Sequence, residues 1–236
     1  ALNVKADAGT YTIAQANYAS ALTTGVITAT IASSTLTALA ALNETGNAYT
    51  IDVSDTGTVD ASALNVLNNK TTGVVSINAT KVTGALSDIK SLYDANTAGE
   101  ISGLGNEVVT ISDTGSVSAA TLNSVNSLTT GVVTSVDVTR ITVTLADIKG
   151  GCCASGAGTM SGLGNEAISI SDLGTVVTSS DLADIKALTS GTVTVSLSGT
   201  SVTASSLNSL DSSSTETVNA AGVTTITGAA AEISTV

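Results

Sequence analysis

The sequence has no histidine, proline, phenylalanine or tryptophan, and aromatic residues make up 2% of its 236 positions. Without histidine the chain can form no Ser/His/Asp or Cys/His triad, and it has no imidazole to bind zinc or haem. Basic residues are also scarce, with 7 Lys and Arg against 19 Asp and Glu, for a formal net charge of -12. A surface of this charge repels phosphates, which argues against nucleic acid as a partner.

The residues that remain are mostly small and apolar or hydroxylated. Hydrophobic residues reach 42% and the mean hydropathy is +0.41, so the composition predicts a folded chain rather than a solvated coil. No uninterrupted apolar run is long enough to cross a bilayer, so we expect no membrane span. The chain begins with Ala1 rather than Met, which suggests a processed or trimmed chain.

Internal repeats organise the whole sequence. Residues 88–107 read DIKSLYDANTAGEISGLGNE, and residues 147–166 repeat the same frame 59 positions later as DIKGGCCASGAGTMSGLGNE. The segments ISDTGSV at 111–117 and ISDLGTV at 170–176 are also 59 apart. We therefore predict one continuous array over residues 1–236, with degenerate copies near 1–48, 49–106, 107–165 and 166–236.

Each copy contains smaller units of strand, turn, strand and short helical corner. Val, Ile and Thr alternate in the strand segments, as in Val109 and Ile111 against Thr110, whereas Leu122, Val125 and Leu128 have the three-residue spacing of a short helix. First strands are expected near residues 3, 26, 50, 74, 109, 132, 168, 193 and 217. The spacing predicts an all-β fold, a parallel β-solenoid or β-helix of about nine coils with short helical corners.

Three segments carry a family resemblance: TVDASALNVLNNKTTGVV at 58–75, ALTSGTVTV at 187–195 and VNAAGVTTITGAAAEI at 218–233. They resemble the tandem repeats of very large secreted or cell-surface proteins of marine bacteria, particularly cyanobacteria. The resemblance covers nearly the whole chain and implies an extracellular structural, adhesive or motility-linked role with no catalytic residues to transfer. The two insertions at 94–107 and 153–166 depart from a uniform repeat.

Acidic residues in the turns are candidate calcium ligands, because oxygen donors are what Ca²⁺ prefers. The candidates are Asp55, Asp113, Asp172, Glu107 and Glu166. SGLGNE supplies one carboxylate per copy, so a tight site would need a neighbouring coil, and a solvated turn is the competing interpretation. Calcium is the one possible cofactor, and it would fit a calcium-dependent adhesin module.

Two further interpretations concern the strand faces and the cysteines. Outward pairs such as Thr28 with Thr30 and Thr225 with Thr227 raise an ice-binding function, but Thr is also simply a good strand former. The adjacent Cys152 and Cys153 stand where the sister copy has Tyr93 and Asp94, and they could be reduced, disulfide-bonded to each other or bonded to another chain.

The sequence Asp-Thr-Gly at residues 55–57 and 113–115 is shared with aspartic proteases, whose two carboxylates must share a proton. The third copy has Leu173 instead of Thr, which favours a repeated Asp-capped turn. We therefore expect no enzyme, but an extracellular or cell-surface structural repeat protein. Its expected partners are copies of itself stacked end to end in a fibre, or neighbouring repeats of a longer chain that forms a stalk.

Overall fold

The protein is described by a computed structural model, which covers residues 4–144, 147, 159–170, 185–187, 189–196, 201–213 and 218–234. The all-β prediction is wrong: 31% of the chain is helical and 31% is strand, in several small parallel sheets. A closed β-solenoid of nine coils is not found either. The chain is a mixed α/β protein.

The chain divides into two compact units. The first comprises Ala1–Ser112 and Ser124–Thr134, and the second comprises Asp113–Asn123 and Ser135–Val236.

Seventeen strands are named among the described residues, and most begin within two residues of the predicted positions. They are β1 (Val4–Tyr11), β2 (Ile27–Ile31), β3 (Ala48–Asp52), β4 (Thr58–Asp60), β5 (Val75–Ser76), β6 (Lys81–Gly84), β7 (Ile101–Ser102), β8 (Val108–Ile111), β9 (Ser116–Ser118), β10 (Val133–Thr134), β11 (Arg140–Val143), β12 (Met160–Ser161), β13 (Ala167–Ile170), β14 (Val193–Ser196), β15 (Ser201–Thr203), β16 (Val218–Asn219) and β17 (Thr225–Thr227). The insertions contribute the extra strands β7 and β12.

The helices are the reason that the predicted fold class fails. Those whose bounds the structure describes are α1 (Ile13–Leu22), α2 (Leu36–Leu39), α3 (Ala61–Asn68), α4 (Leu86–Ala98), α5 (Ala119–Asn126), α6 (Ala204–Ser213) and α7 (Ala230–Ile233). Several extend well beyond a corner turn, since α1 has 10 residues and α4 has 13.

Local sequence explains where these helices begin and how far they extend. Thr12 caps α1 in a capping box with Gln15, and the Asp60 side chain accepts a hydrogen bond at the start of α3. The segments that follow are rich in Ala, Leu, Asn and Ser and contain few β-branched residues, so helix can propagate. The α4 helix ends at Gly99, which adopts the left-handed conformation at φ 80°.

Within each unit the strands pair in parallel with strands of neighbouring repeats. In the first unit, β1, β2, β3, β5 and β7 form one sheet in that order, and β4, β6, β8 and β10 lie consecutively in another. In the second unit the order is β9, β11, β13, β14 and β16, with a separate pair of β15 and β17. Registers such as Val82 with Val109 and Ile141 with Ile168 join residues 27 apart.

The core consists of aliphatic residues at alternate strand positions and along one face of each helix. Ile27, Ile51, Val75 and Val109 have no exposed surface. Tyr49 and Tyr93 are the largest fully buried side chains. Because most core side chains are small aliphatic groups, neighbouring backbones lie close together. This close approach determines where polar groups in the core can lie.

Candidate functional site

A three-residue motif, Thr-x-Gly, forms the same contact between neighbouring repeats in three places, which we call the Thr-x-Gly clasp. The clasp forms at residues 71–73, 129–131 and 189–191; the same residue pattern also stands at 23–25 and 97–99. The three threonines are buried, and each precedes a strand whose first residue is also buried. In the sequence, Gly73, Gly131 and Gly191 indicate turns between strands, but nothing there singles out the threonines.

Each threonine hydroxyl joins its own turn to the preceding repeat. The hydroxyl of Thr129 donates to the carbonyl oxygen of Glu107 at 2.9 Å and accepts from the backbone N–H of Gly131 at 3.0 Å. In the second unit Thr189 makes the same pair of bonds, to Glu166 at 2.7 Å and from Gly191 at 2.9 Å. Since a buried hydroxyl without partners is costly, these bonds fix the spacing of adjacent repeats.

The glycine of the clasp is required by close approach. A Cβ atom added at Gly73 would lie closer than 3.0 Å to the carbonyl of Tyr49, and Gly131 and Gly191 stand in the same relation to Glu107 and Glu166. The obstructing atoms are backbone, which has little freedom to move aside. Any side chain at these positions would push neighbouring repeats apart.

Two of the predicted calcium ligands are buried beside the clasps. Glu107 is 2% exposed and Glu166 is 3% exposed. Both carboxylates fold back onto their own loop: Oε2 of Glu107 accepts from the N–H of Gly105 at 2.8 Å, and Oε2 of Glu166 accepts from that of Gly164 at 2.7 Å. Each carboxylate thus organises the glycine-rich loop that precedes it.

The two glutamates differ in the partner of the second oxygen. Oε1 of Glu107 accepts a hydrogen bond from the buried hydroxyl of Tyr93, whereas Oε1 of Glu166 has no partner among the described residues. The position 59 residues after Tyr93 is Cys152. Burial, together with the hydrogen bond to the Glu107 carboxylate and its charge, raises the pKa of Tyr93.

Of the remaining predicted site residues, the structure describes Asp55 and Asp113. Oδ2 of Asp55 accepts from the backbone N–H of Leu36 at 2.6 Å, so this carboxylate caps α2. Asp113 belongs to the second unit, while Asp172, Cys152 and Cys153 lie outside the described residues. In the part of the chain that the structure describes, no three acidic or sulfur side chains cluster as metal ligands would. Calcium binding and the cysteine disulfide stay predictions.

A polar groove of about 560 Å³ lies between α3 and α4, where the sequence predicted no site. Asn68 donates to Glu100 at 3.0 Å and Asn65 donates to the carbonyl of Asp88 at 2.9 Å across it. Asp94, at its rim, forms a surface ion pair with Lys90 at 2.5 Å. The two amide hydrogen bonds join α3 to α4 and to Glu100, just after α4. They thus connect neighbouring repeats, as the clasps do.

The threonines considered for ice binding occupy only part of an ordered face. Thr30 pairs in register with Thr10 and Thr50, and all three are exposed. Thr28, however, is flanked in register by Lys5 and Ala48. Thr28 therefore has no threonine in register on either neighbouring strand, so it does not form a second threonine column. Ice binding stays a prediction.

Comparisons with known proteins found no match to the chain among protein-family models, curated proteins or solved structures. The resemblance to secreted bacterial repeat proteins therefore stays a prediction. Over the described ranges, no helix is long and apolar enough to cross a membrane.

Proposed function

We propose that this protein is a non-enzymatic structural repeat protein of the cell exterior, whose copies join through their open strand edges into a fibre. The observation that carries the proposal is the recurrence of the Thr-x-Gly clasp, which links one repeat to the repeat before it at Thr71, Thr129 and Thr189. In the proposed fibre, contacts of the type that join neighbouring repeats within one molecule also join one molecule to the next.

The use of buried polar groups supports the same function. Among the described residues, the buried polar ones are Asn47, Thr71, Glu107, Thr129, Ser135, Glu166 and Thr189. Asn47, for example, accepts from the N–H of Ile27 at 2.9 Å, in the preceding repeat. The hydroxyl of Ser135 has no partner in the part of the chain described, but each of the other six side chains hydrogen-bonds to backbone, as a scaffold requires.

Parallel ladders with open edges favour growth by addition. An edge strand presents backbone N–H and C=O groups that can pair with a strand of another molecule. Among the described residues, β1 stands at the edge of its sheet, and β17 stands at the edge of the pair it forms with β15. The strand β17 itself carries no charged residue to oppose such pairing.

Electron microscopy of the purified chain in negative stain, over a wide range of concentrations, tests the fibre. We expect filaments of uniform width above a threshold concentration, in the presence or absence of chelator. Monodisperse particles at every concentration would exclude self-assembly as the function. Filaments that dissolve only with chelator would favour the calcium-dependent alternative instead.

Location is tested separately with an antibody against the chain. Intact source cells should be labelled, and the label should fall when the cells are treated with an external protease. Labelling that requires lysis would contradict a role outside the cell.

A further inference from the structure

In the second unit, the described part of the C-terminal segment has the same structure as α3, β4, β6 and the residues around them in the first unit. Val202 pairs with Ile226 as Val59 pairs with Val82, and Gly228 takes φ 151° where Gly84 takes φ 155°. Asn208 donates to the carbonyl of Glu232 at 2.8 Å, as Asn65 does to that of Asp88. Residues 201–213 and 218–233 are thus the structural counterparts of residues 58–70 and 74–89.

The two segments differ in what covers them. Val82 and Ile89 are fully buried, but their counterparts Ile226 and Ile233 are 39% and 43% exposed. Beside Ile226 lies a groove of about 320 Å³. Its lining is largely apolar and includes Leu207, Val218 and Val223. We call the surface formed by β17, α7 and this groove the β17 face.

The first unit shows what covers such a face. There, β8 pairs with β6 and places Val109 opposite Val82. The second unit does the same at an earlier repeat, where β13 pairs with β11 and places Ile168 opposite Ile141. In both cases a strand is covered by the strand that begins the next repeat.

The strand β1 also begins a repeat, and it lies at the edge of a sheet. One side of β1 pairs with β2, and the other side has no described strand beside it in that sheet. The adjacent helix α1 has an exposed apolar side chain, Leu22, at 68% exposure. Asn17 of α1 donates to the carbonyl of Ala41 in the following repeat at 2.8 Å. Leu22 is five positions further on, about 140° round the helix, and so faces away from that repeat.

We propose that the β17 face binds β1 and α1 of a second copy of this chain, with β1 pairing in parallel alongside β17 and Leu22 packing near Ile233. This inference rests on the proposed function and specifies its interface. The continuity with the pairings of β6 with β8 and of β11 with β13 identifies the occupant as a repeat of the same kind. The contact joins two different surfaces, so copies that use it can add head to tail without limit.

Single substitutions of exposed residues test each face. Ile226→Asp and Ile233→Asp on one face, and Leu22→Asp on the other, should each raise the threshold concentration for filaments about tenfold or more, because a charge replaces an apolar contact. Val66→Asp is the matched control, since Val66 is an exposed valine, at 54%, on α3. It adds the same charge and should leave the threshold unchanged. Circular dichroism checks that all four variants keep the wild-type helix content.

A mixing experiment tests the head-to-tail arrangement. Ile226→Asp retains a working β1 face and Leu22→Asp retains a working β17 face, so an equimolar mixture should form dimers that cannot grow. Sedimentation velocity should show monomers for each variant alone and dimers for the mixture. Monomers in the mixture, or dimers of either variant alone, would overturn the proposed pairing.

The outcomes separate this inference from the proposed function. If the wild-type chain forms filaments and the three interface variants form them equally well, the assembly is real but uses other surfaces, and this inference is wrong. If the wild-type chain remains monomeric at all concentrations, the proposed function fails, and the β17 face is not covered by a second copy.

Discussion

The carboxylate of Glu107 accepts a hydrogen bond from the hydroxyl of Tyr93, and both side chains are buried. The other oxygen of the carboxylate accepts the backbone N–H groups of Gly105 and Asn106, at 2.8 and 3.0 Å. The pair therefore connects α4 to the loop that leads into β8. Its contribution to stability can be measured.

Tyr93→Phe should lower the free energy of unfolding by about 2 kcal/mol, because it leaves a buried carboxylate oxygen without its donor. Urea denaturation followed by circular dichroism measures the change. Tyr18→Phe is the matched control, since Tyr18 is 69% exposed and the same atom is removed. Equal effects of the two substitutions would show that the buried pair adds no stability.

Alkaline pH should weaken the contribution of Tyr93. Burial raises its pKa above the ordinary 10.0, so above that pH the unfolded chain loses the phenolic proton while the folded chain keeps it. The unfolded state then binds fewer protons, and stability falls with rising pH by up to about 1.4 kcal/mol per unit for this one group. Below pH 10 the contribution is fully present.

The comparison of wild type with Tyr93→Phe isolates this effect, because other groups that titrate in the same range are common to both chains. Urea denaturation at pH 9 and at pH 11 should show the stability difference between them shrinking at the higher pH. A difference that stays constant over this range would mean that the Tyr93 hydroxyl titrates alike in the folded and unfolded chains.

Gly73→Ala should destabilise the protein by about 2 kcal/mol or more, because the added methyl group meets the backbone of Tyr49 in the preceding repeat. Gly57→Ala is its control: a Cβ at Gly57 meets nothing within 4 Å. That substitution should be neutral or slightly stabilising, since alanine restricts the unfolded chain. Thermal unfolding of the two variants checks the prediction, which fails if their melting temperatures agree.

Adjacent threonines provide the most closely matched test of the clasp. Thr129→Val removes a buried hydroxyl that donates to Glu107 and accepts from Gly131, and it should cost about 1–3 kcal/mol. Thr130→Val makes the same chemical change one residue later, where the hydroxyl is exposed, and should cost less than about 0.5 kcal/mol. Chemical denaturation of both variants would contradict the clasp if Thr130→Val were the costlier of the two.

The local pattern of the sequence predicted the strands well. Alternation of Val, Ile and Thr placed first strands near residues 26, 74 and 132, and the structure has β2, β5 and β10 beginning at Ile27, Val75 and Val133. Period-two burial is a property of a short segment, and neighbouring side chains suffice to determine it. Helix length was underestimated, because the spacing of Leu86, Ile89 and Leu92 shows one apolar edge but not where α4 ends.

The candidate site depended on contacts that a linear pattern does not contain. Asp55 was singled out as a calcium ligand and caps a helix, 19 residues away from the N–H it accepts. The carboxylate of Glu107 was recognised as a repeated feature, but its partner Tyr93 was not. The sister copy has Cys152 in place of Tyr93. This difference was the one signal in the sequence that could have pointed to the pair of Tyr93 and Glu107.

By itself, the sequence determined the repeat, the alternation within strands and the near absence of large side chains. Only the tertiary structure decided which strands share a sheet: the extra strand β7 completes the sheet of β1, and the following strand β8 pairs with β6 instead. It also decided that the clasp glycines are needed for close approach to a preceding backbone. Both outcomes depend on how repeats about two dozen residues apart stack, and that stacking is set by packing across the chain rather than by any local preference.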